Sequence, residues 1–164
     1  LSITISGCNR ADDIGTSEMT FKLSSPVFEN NGNIPAKYTC KGDDVNPPLT
    51  ISGIPEEARS LVLIMDDPDA PSGNWDHWIM GNIPIIFEIA EDSIPEGAVQ
   101  GLNDFNRHNY GGPCPPSGTH RYMFKLYAID TTLKLNGDSK KSDVEEAMEG
   151  HILATTKLIG LYSK

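Results

Sequence analysis

One stretch, residues 65–78, places an acidic, proline-stiffened loop between two segments that have strand character. The apolar residues 61–64 before it are typical of a buried strand, which is predicted to end at the carboxylates of the loop. Pro68 and Pro71 fix their own φ angles and restrict the residues before them, so the loop is predicted to be rigid. A Ser-Gly-Asn turn follows, and a second strand begins at Trp75.

The second strand carries side chains that suit the wall of a pocket. Residues two apart on a strand share a face, so Trp75 and His77 are predicted to project together beside the acidic loop. An aromatic surface, an imidazole and nearby carboxylates are typical of a binding site. The alternative is a solvated acidic loop next to a His-Trp pair of the core or of an interface, because acidic loops are commonly just exposed.

A second stretch, residues 110–122, combines three glycines, three prolines and His120. The glycines let a ligand approach the backbone closely, and the prolines stiffen the loop. A strand with clear alternation is predicted directly after it, at residues 121–129. Small anions are commonly held by imidazoles and by backbone N–H groups of glycine-rich turns, so this stretch favours an anion site.

The composition favours a β-rich fold. The 164 residues include 15 glycines and 12 prolines, and long helical periodicities are missing. One helix is clearly predicted near the C-terminus. Ser142 is its predicted N-cap and Glu145 is its predicted N3 residue, and together they form a capping box. A net charge of −10 without a dense basic cluster disfavours binding to nucleic acid and docking of a basic patch on an anionic membrane.

The remaining elements follow from alternation and turn signals. Strands are predicted at residues 19–23, 49–52 and 153–162, and an extended segment at 34–40. Residues 88–109 are predicted to be mostly ordered loop, and a loop of this length inside a compact domain is usually functional. One domain over residues 19–164, preceded by an extension over 1–18, accommodates all of these elements.

The extension predicts a lipid anchor. Its start is apolar and ends in Ile-Ser-Gly-Cys, which resembles the end of a bacterial lipoprotein signal peptide with Cys8 as the lipidated residue. Residues 9–18 are polar and suit a short tether. This favours a periplasmic or cell-envelope lipoprotein, held at the membrane through Cys8. The alternative is a protein that begins near Met19 and is cytoplasmic.

Two further cysteines, Cys40 and Cys114, lie in turn-rich segments. An even number of remaining cysteines in an exported domain suggests a disulfide. In a cytoplasmic protein they would instead stay two reduced thiols, so the two interpretations depend on the location of the chain.

The two stretches together resemble the phosphatidylethanolamine-binding protein (PEBP) family, which includes the Raf kinase inhibitor proteins. The motifs that carry the resemblance are DPDAPxxxWxHW over residues 67–78 and GGPCPPxGxHRY over residues 111–122. The similarity is greatest to the bacterial and archaeal branch and extends from about residue 19 to residue 162. It implies a mainly β protein, an antiparallel β-sandwich with a few peripheral helices, one of them near the C-terminus.

The resemblance also implies an anion pocket between the two motif loops. Its residues, carried over by position, would be Asp67, Asp69, Trp75, His77, His120 and Tyr122. Animal members of the family have glycine where this chain has Cys114. Bacterial relatives often have cysteines there and at the position of Cys40, which agrees with the disulfide hypothesis.

The resulting hypothesis is a protein that binds phosphate or phosphoethanolamine-type head groups and modulates a protein partner. A carboxylate near His77 is expected to raise the pKa of that imidazole and to favour its cation, which would hold the anion.

Two alternatives remain. One is a regulator that inhibits a kinase or protease by contact and has a vestigial pocket. The other is a weak phosphoester or ester hydrolase, although no nucleophile stands out and the Gly-x-Ser-x-Gly motif is missing. No cofactor is expected. No metal is expected either, since the spacing of His77, His120 and Asp67 is not diagnostic of a metal site.

Overall fold

The computed structural model describes residues 19–164, which form two β-sheets and one α-helix near the C-terminal end. The predicted mainly β architecture is therefore confirmed. Cys8 and the rest of the predicted tether lie outside the described residues. Within residues 19–164, no helix is both long and apolar enough to cross a bilayer.

The small sheet has the order β1-β3-β6, and the large sheet has the order β2-β9-β8-β4-β5-β7. The strands of the small sheet are β1 (Lys22–Ser24), β3 (Leu49–Ser52) and β6 (Glu88–Ile89). Those of the large sheet are β2 (Gly32–Asn33), β4 (Ser60–Asp67), β5 (Trp75–Ile83), β7 (Val99–Gln100), β8 (Thr119–Ile129) and β9 (Ile152–Ser163). The helix α1 spans Lys141–Met148. Neighbouring strands are antiparallel except β2 and β9.

Strand β4 is buried along its whole length because both of its faces are covered. Leu61 and Leu63 belong to the main core, which also contains residues of the small sheet. Val62 and Ile64 point to the opposite face and pack with Val144 of α1. A strand covered on both faces has a continuous apolar sequence rather than an alternating one, as residues 61–65 show. The C-terminal end of β4, from which the first motif loop starts, is therefore held in place by packing on both faces.

Two predicted N-terminal elements differ from the structure. The strand predicted at residues 19–23 is β1, one to three residues later in the chain. The segment 34–40 is not extended throughout, because residues Ala36–Tyr38 form a 3₁₀ turn. The Thr39 hydroxyl and amide both donate to the Ala36 carbonyl, at 2.8 and 3.1 Å, and this local bonding draws the chain into the turn.

The start of α1 also differs from the prediction, because Lys140 rather than Ser142 is the N-cap. The Lys140 backbone N–H donates to the Asp143 carboxylate at 2.8 Å, so Asp143 takes the N3 position. Lys141 is the first residue of the helix, and its ammonium group donates a hydrogen bond to Asp66, 75 residues away in the chain. A local pattern could not show this long-range contact.

Strand β4 continues through Asp66 and Asp67, where the sequence pattern predicts its end. Both carboxylates are buried and have partners from other strands or from α1. The predicted strand at 49–52 and the closing strand are confirmed, as is the strand that begins at Trp75. The loop over 88–109 additionally contains the two-residue strands β6 and β7.

Candidate functional site

A cavity of about 310 Å³ lies between the two motif loops, at the ends of β4, β5 and β8. Five of the six residues predicted for the pocket line it: Asp67, Trp75, His77, His120 and Tyr122. The remaining wall comes from residues 70–72 of the first loop, from Cys114 and Pro116 of the second, and from Phe105. The two motifs, distant in the chain, thus form one concave site.

His120 and Asp67 form a buried pair in this cavity. The Asp67 Oδ2 atom lies 2.7 Å from His120 Nδ1, and both side chains are less than a tenth exposed. The other carboxylate oxygen of Asp67 accepts the Asp69 amide at 2.8 Å. Asp67 therefore holds the His120 ring in one orientation.

His77 has a different partner. Its Nδ1 lies 2.6 Å from the carbonyl oxygen of Gly111, a residue of the second loop. Burial lowers the pKa of His77 below the ordinary 6.5, while the hydrogen bond to Gly111 and the charge of Asp67 oppose the shift. The expectation that a nearby carboxylate raises this pKa is therefore wrong. Desolvation outweighs the carboxylates, and Asp67 is hydrogen-bonded to the other histidine.

Tyr122 lies in the cavity wall with a buried hydroxyl. The residue is fully buried, and its hydroxyl has no hydrogen bond of good geometry to any described residue. Burial, followed by the charge of Asp67, raises the pKa of the phenol, whereas the nearby Cys114 amide lowers it. Tyr122 therefore stays protonated near neutral pH and keeps a hydrogen that it can donate.

Asp69 does not line the cavity. Its carboxylate faces Arg121 and accepts two guanidinium hydrogen bonds, at 2.8 and 2.9 Å, and the Arg121 backbone amide at 2.9 Å. The Arg121 side chain is the main reason why the pKa of Asp69 falls to about 2. This pair joins the first loop to the start of β8, so the structure gives Asp69 a positioning contact beside the cavity.

Phe105 is a wall residue that sequence reasoning misses as part of the site. Its ring packs edge-on against Trp75 at 5.5 Å and against His77 at 5.2 Å. The buried Asn103 shapes this loop, because its amide donates to the His77 carbonyl while its oxygen accepts the Phe105 amide. The available signal was the unusual length of the loop, which did not single out Phe105.

The predicted disulfide joins Cys40 to Cys114. It links the second motif loop to the segment after the 3₁₀ turn, beside a backbone hydrogen bond from Cys40 to Pro113 of 3.1 Å. Gly112 lies in the same loop, where an added Cβ would come within 2.5 Å of the Tyr38 carbonyl. The loop is thus packed tightly against its neighbour and positions its part of the cavity wall.

Comparison with known proteins agrees with this architecture. The family model for the phosphatidylethanolamine-binding protein matches residues 24–163. The chain belongs to the phosphatidylethanolamine-binding protein family. Among curated PEBP-family relatives, the UPF0098 protein of Methanothermobacter thermautotrophicus is 51% identical, over 87% of this chain and 98% of its own. The UPF0098 protein of Pyrococcus horikoshii is 50% identical, over 92% of this chain and 80% of its own.

Solved structures of the PEBP family superpose closely on the chain. A PEBP homologue from Chlamydia trachomatis has a TM-score of 0.85 and is 43% identical, over 88% of this chain and 97% of its own. Escherichia coli YbcL, a member of the mammalian PEBP family, has a TM-score of 0.82 and is 31% identical, over 88% and 98% of the two chains. The similarity to bacterial and archaeal members agrees with the branch that the motifs indicate.

The hydrogen bonds of the two cavity histidines leave one ring nitrogen of each without a protein partner among the described residues. Nδ1 of His77 contacts the Gly111 carbonyl and Nδ1 of His120 contacts Asp67, so Nε2 is the ring nitrogen of each that remains for a ligand. Within residues 19–164, no group of three His, Cys, Asp or Glu side chains is placed to hold a metal ion.

Burial of His77 predicts a loss of stability in acid. Well above pH 6.5 the ring is neutral in both the folded and the unfolded chain, so this contribution is fully present there. As the pH falls, the unfolded ring takes up a proton that the buried ring resists, and the free energy of unfolding decreases. Urea-unfolding midpoints at pH 5, 6, 7 and 8 measure the decline, and His77→Gln is expected to flatten it.

The control for this experiment is His151→Gln. His151 is exposed, pairs with Asp130 and does not line the cavity, so its loss should leave the decline associated with His77 in place. If His77→Gln kept the whole acid decline of the unmodified protein, burial of this ring would not be its cause.

Proposed function

We propose that this PEBP-family protein binds a small oxyanion of the phosphate type, such as a phosphoethanolamine head group, in the cavity. One observation carries the proposal. Two imidazoles line one cavity, each with Nδ1 bonded to a protein oxygen and Nε2 without a protein partner among the described residues, and the buried hydroxyl of Tyr122 in the same wall also lacks a hydrogen-bond partner. Buried polar groups are usually hydrogen-bonded, so this convergence favours a ligand that completes the set.

The local charges make an oxyanion acceptable although the chain carries a net charge of −10. Both oxygens of the Asp67 carboxylate have hydrogen-bond partners, His120 Nδ1 and the Asp69 amide. The Asp69 carboxylate is paired with Arg121 and does not line the cavity. Distant surface carboxylates are screened over a Debye length of about 8 Å at physiological ionic strength. The polar groups that line the cavity therefore dominate the interaction.

The walls of the cavity strengthen these hydrogen bonds. Trp75 and Phe105 contact each other edge-on at one side, and Pro71 and Pro116 lie among the loop residues that line the cavity. Apolar walls lower the local dielectric, which makes each polar contact with the ligand stronger than in water. The family name also supports a head group that combines a phosphate with a small organic part.

Titration of the full chain by NMR tests the proposal, because the four histidine rings report separately. Phosphate, phosphoethanolamine and acetate are added in turn between pH 5 and 8. We expect saturable shifts of the His77 and His120 ring signals, with the His108 and His151 signals as internal references outside the cavity.

The matched variants are His120→Ala, which is expected to lose binding, and His151→Ala, which is expected to keep it. Undiminished phosphate binding by folded His120→Ala, or the absence of any shift with all three anions, would defeat the proposal.

A further inference from the structure

The hydrogen-bond partners of His77 fix the position of its proton. A carbonyl oxygen can only accept, so the contact between His77 Nδ1 and the Gly111 carbonyl requires the hydrogen to be on Nδ1. In the neutral ring, Nε2 is then a bare acceptor. Burial lowers the pKa of His77, which keeps the ring in this neutral form near neutral pH.

His120 also uses Nδ1 within the protein. Asp67 accepts the Asp69 amide on one carboxylate oxygen and contacts His120 Nδ1 with the other. At His77 the cavity thus offers an acceptor nitrogen to a ligand that itself carries negative oxygens.

The surrounding charges supply no substitute cation. Within residues 19–164, the cavity lining contains no lysine or arginine. The charges that act on His77 from neighbouring elements are the carboxylates of Asp67, Asp44 and Asp104. His120 faces Asp67 and Tyr122, with Tyr162 opposite it in strand β9. An unprotonated oxygen placed against His77 Nε2 would meet a lone pair in acidic surroundings.

We infer, on the basis of the function proposed above, that the cavity takes up one proton together with the oxyanion and selects phosphomonoesters over phosphodiesters and sulfate. The proton comes from solvent and lies between a ligand oxygen and an imidazole Nε2, and no covalent bond of the ligand breaks. Tyr122 donates to another oxygen. A phosphomonoester dianion is basic enough to bring this proton, because its second pKa is about 6. Sulfate and phosphodiesters lack an oxygen of such basicity.

Calorimetric titration with phosphoethanolamine at pH 7.5 measures the proton count directly. The observed heat is plotted against the ionisation enthalpy of the buffer, in several buffers at the same pH. We expect a slope of about one proton taken up per ligand, and an affinity that falls about fifty-fold from pH 6 to pH 8, following the protonated fraction of a phosphate with a pKa near 6. A slope near zero would overturn the inference.

The second arm compares ligand classes and separates a free monoester from a lipid head group, whose phosphate is a diester. Glycerophosphoethanolamine and sulfate are expected to bind at least about tenfold more weakly than phosphoethanolamine at pH 7, because neither brings the proton. Equal affinity of the diester would overturn the selection of monoesters.

Tyr122→Phe serves as the control, since it removes a donor and leaves both imidazoles. It should weaken all three ligands and keep about one proton taken up with phosphoethanolamine. Loss of proton uptake in this variant would show that the uptake depends on the phenol and would overturn the assignment to an imidazole. Absence of binding by every ligand would defeat the proposed function itself, whereas binding without proton uptake would defeat this inference alone.

Discussion

Replacing both disulfide cysteines, Cys40→Ala with Cys114→Ala, is expected to lower the free energy of unfolding by about 4 kcal/mol. The bond joins residues 74 apart in the chain, so its removal frees a long loop in the unfolded state and increases the entropy of that state. The loss corresponds to a decrease of the melting temperature by about 10 °C for a chain of this size. Urea unfolding of the two proteins under oxidising conditions measures it.

Reduction provides the control for this experiment. A dithiol reductant should lower the stability of the unmodified protein by a similar amount and leave the double variant unchanged. If the double variant lost less than about 1 kcal/mol, the cross-link would not restrict the unfolded chain as assumed. Because Cys114 also lines the cavity, the His120 ring signal of the folded variant shows whether the second loop keeps its position.

The second large effect is expected at Asp66, a fully buried carboxylate that contacts two lysines. Lys125 and Lys141 each place their Nζ 2.7 Å from its Oδ2 atom. Changing both lysines to Met leaves the buried charge without a partner, and the free energy of unfolding should fall by about 3–5 kcal/mol. Lys141 also contacts Asp76 at 3.2 Å, so this network joins β4, β5, β8 and α1. Chemical denaturation measures the loss.

A third substitution gives this prediction its internal control. Asp66→Leu is added to the variant in which Lys125 and Lys141 are already Met, so that the unpaired charge is removed. This change should restore most of the stability, since apolar replacement of a whole buried ion cluster is often close to neutral. Lys125→Met alone should cost less than the double change, because Lys141 still pairs with the carboxylate. If the triple variant were as unstable as the double lysine variant, the packing of the aliphatic part of each lysine would matter more than the charges.

Local patterns in the chain determined much of the architecture. Alternation along residues 121–129 and the apolar run at 61–64 mark strands because side-chain direction has a period of two and because a strand covered on both faces is apolar throughout. Two motif loops with histidines and prolines indicated one site, and the structure places five of the six predicted residues around one cavity. The cysteine count indicated the pairing of Cys40 with Cys114.

The tertiary structure alone decided which groups in the site face each other. Asp67 is hydrogen-bonded to His120, 53 residues away, rather than to His77. That choice, together with the burial of His77 under Phe105 and Tyr122, reverses the predicted direction of its pKa shift. Neither fact follows from spacing along the chain, because desolvation and partner choice depend on the distances between side chains that the folded sheets set.

The same distinction explains the other differences between sequence and structure. Asp69 belongs to the first motif, yet its carboxylate is bonded to Arg121 and does not line the cavity. The end of β4 differs from the predicted position because the carboxylates of Asp66 and Asp67 are buried against partners from other elements. Periodicity and turn residues encode local conformation, so the sequence by itself determined the strands and the loops of the site. Long-range charge pairs and burial arise only when the sheets assemble, so the tertiary structure decided the protonation and the direction of the groups inside it.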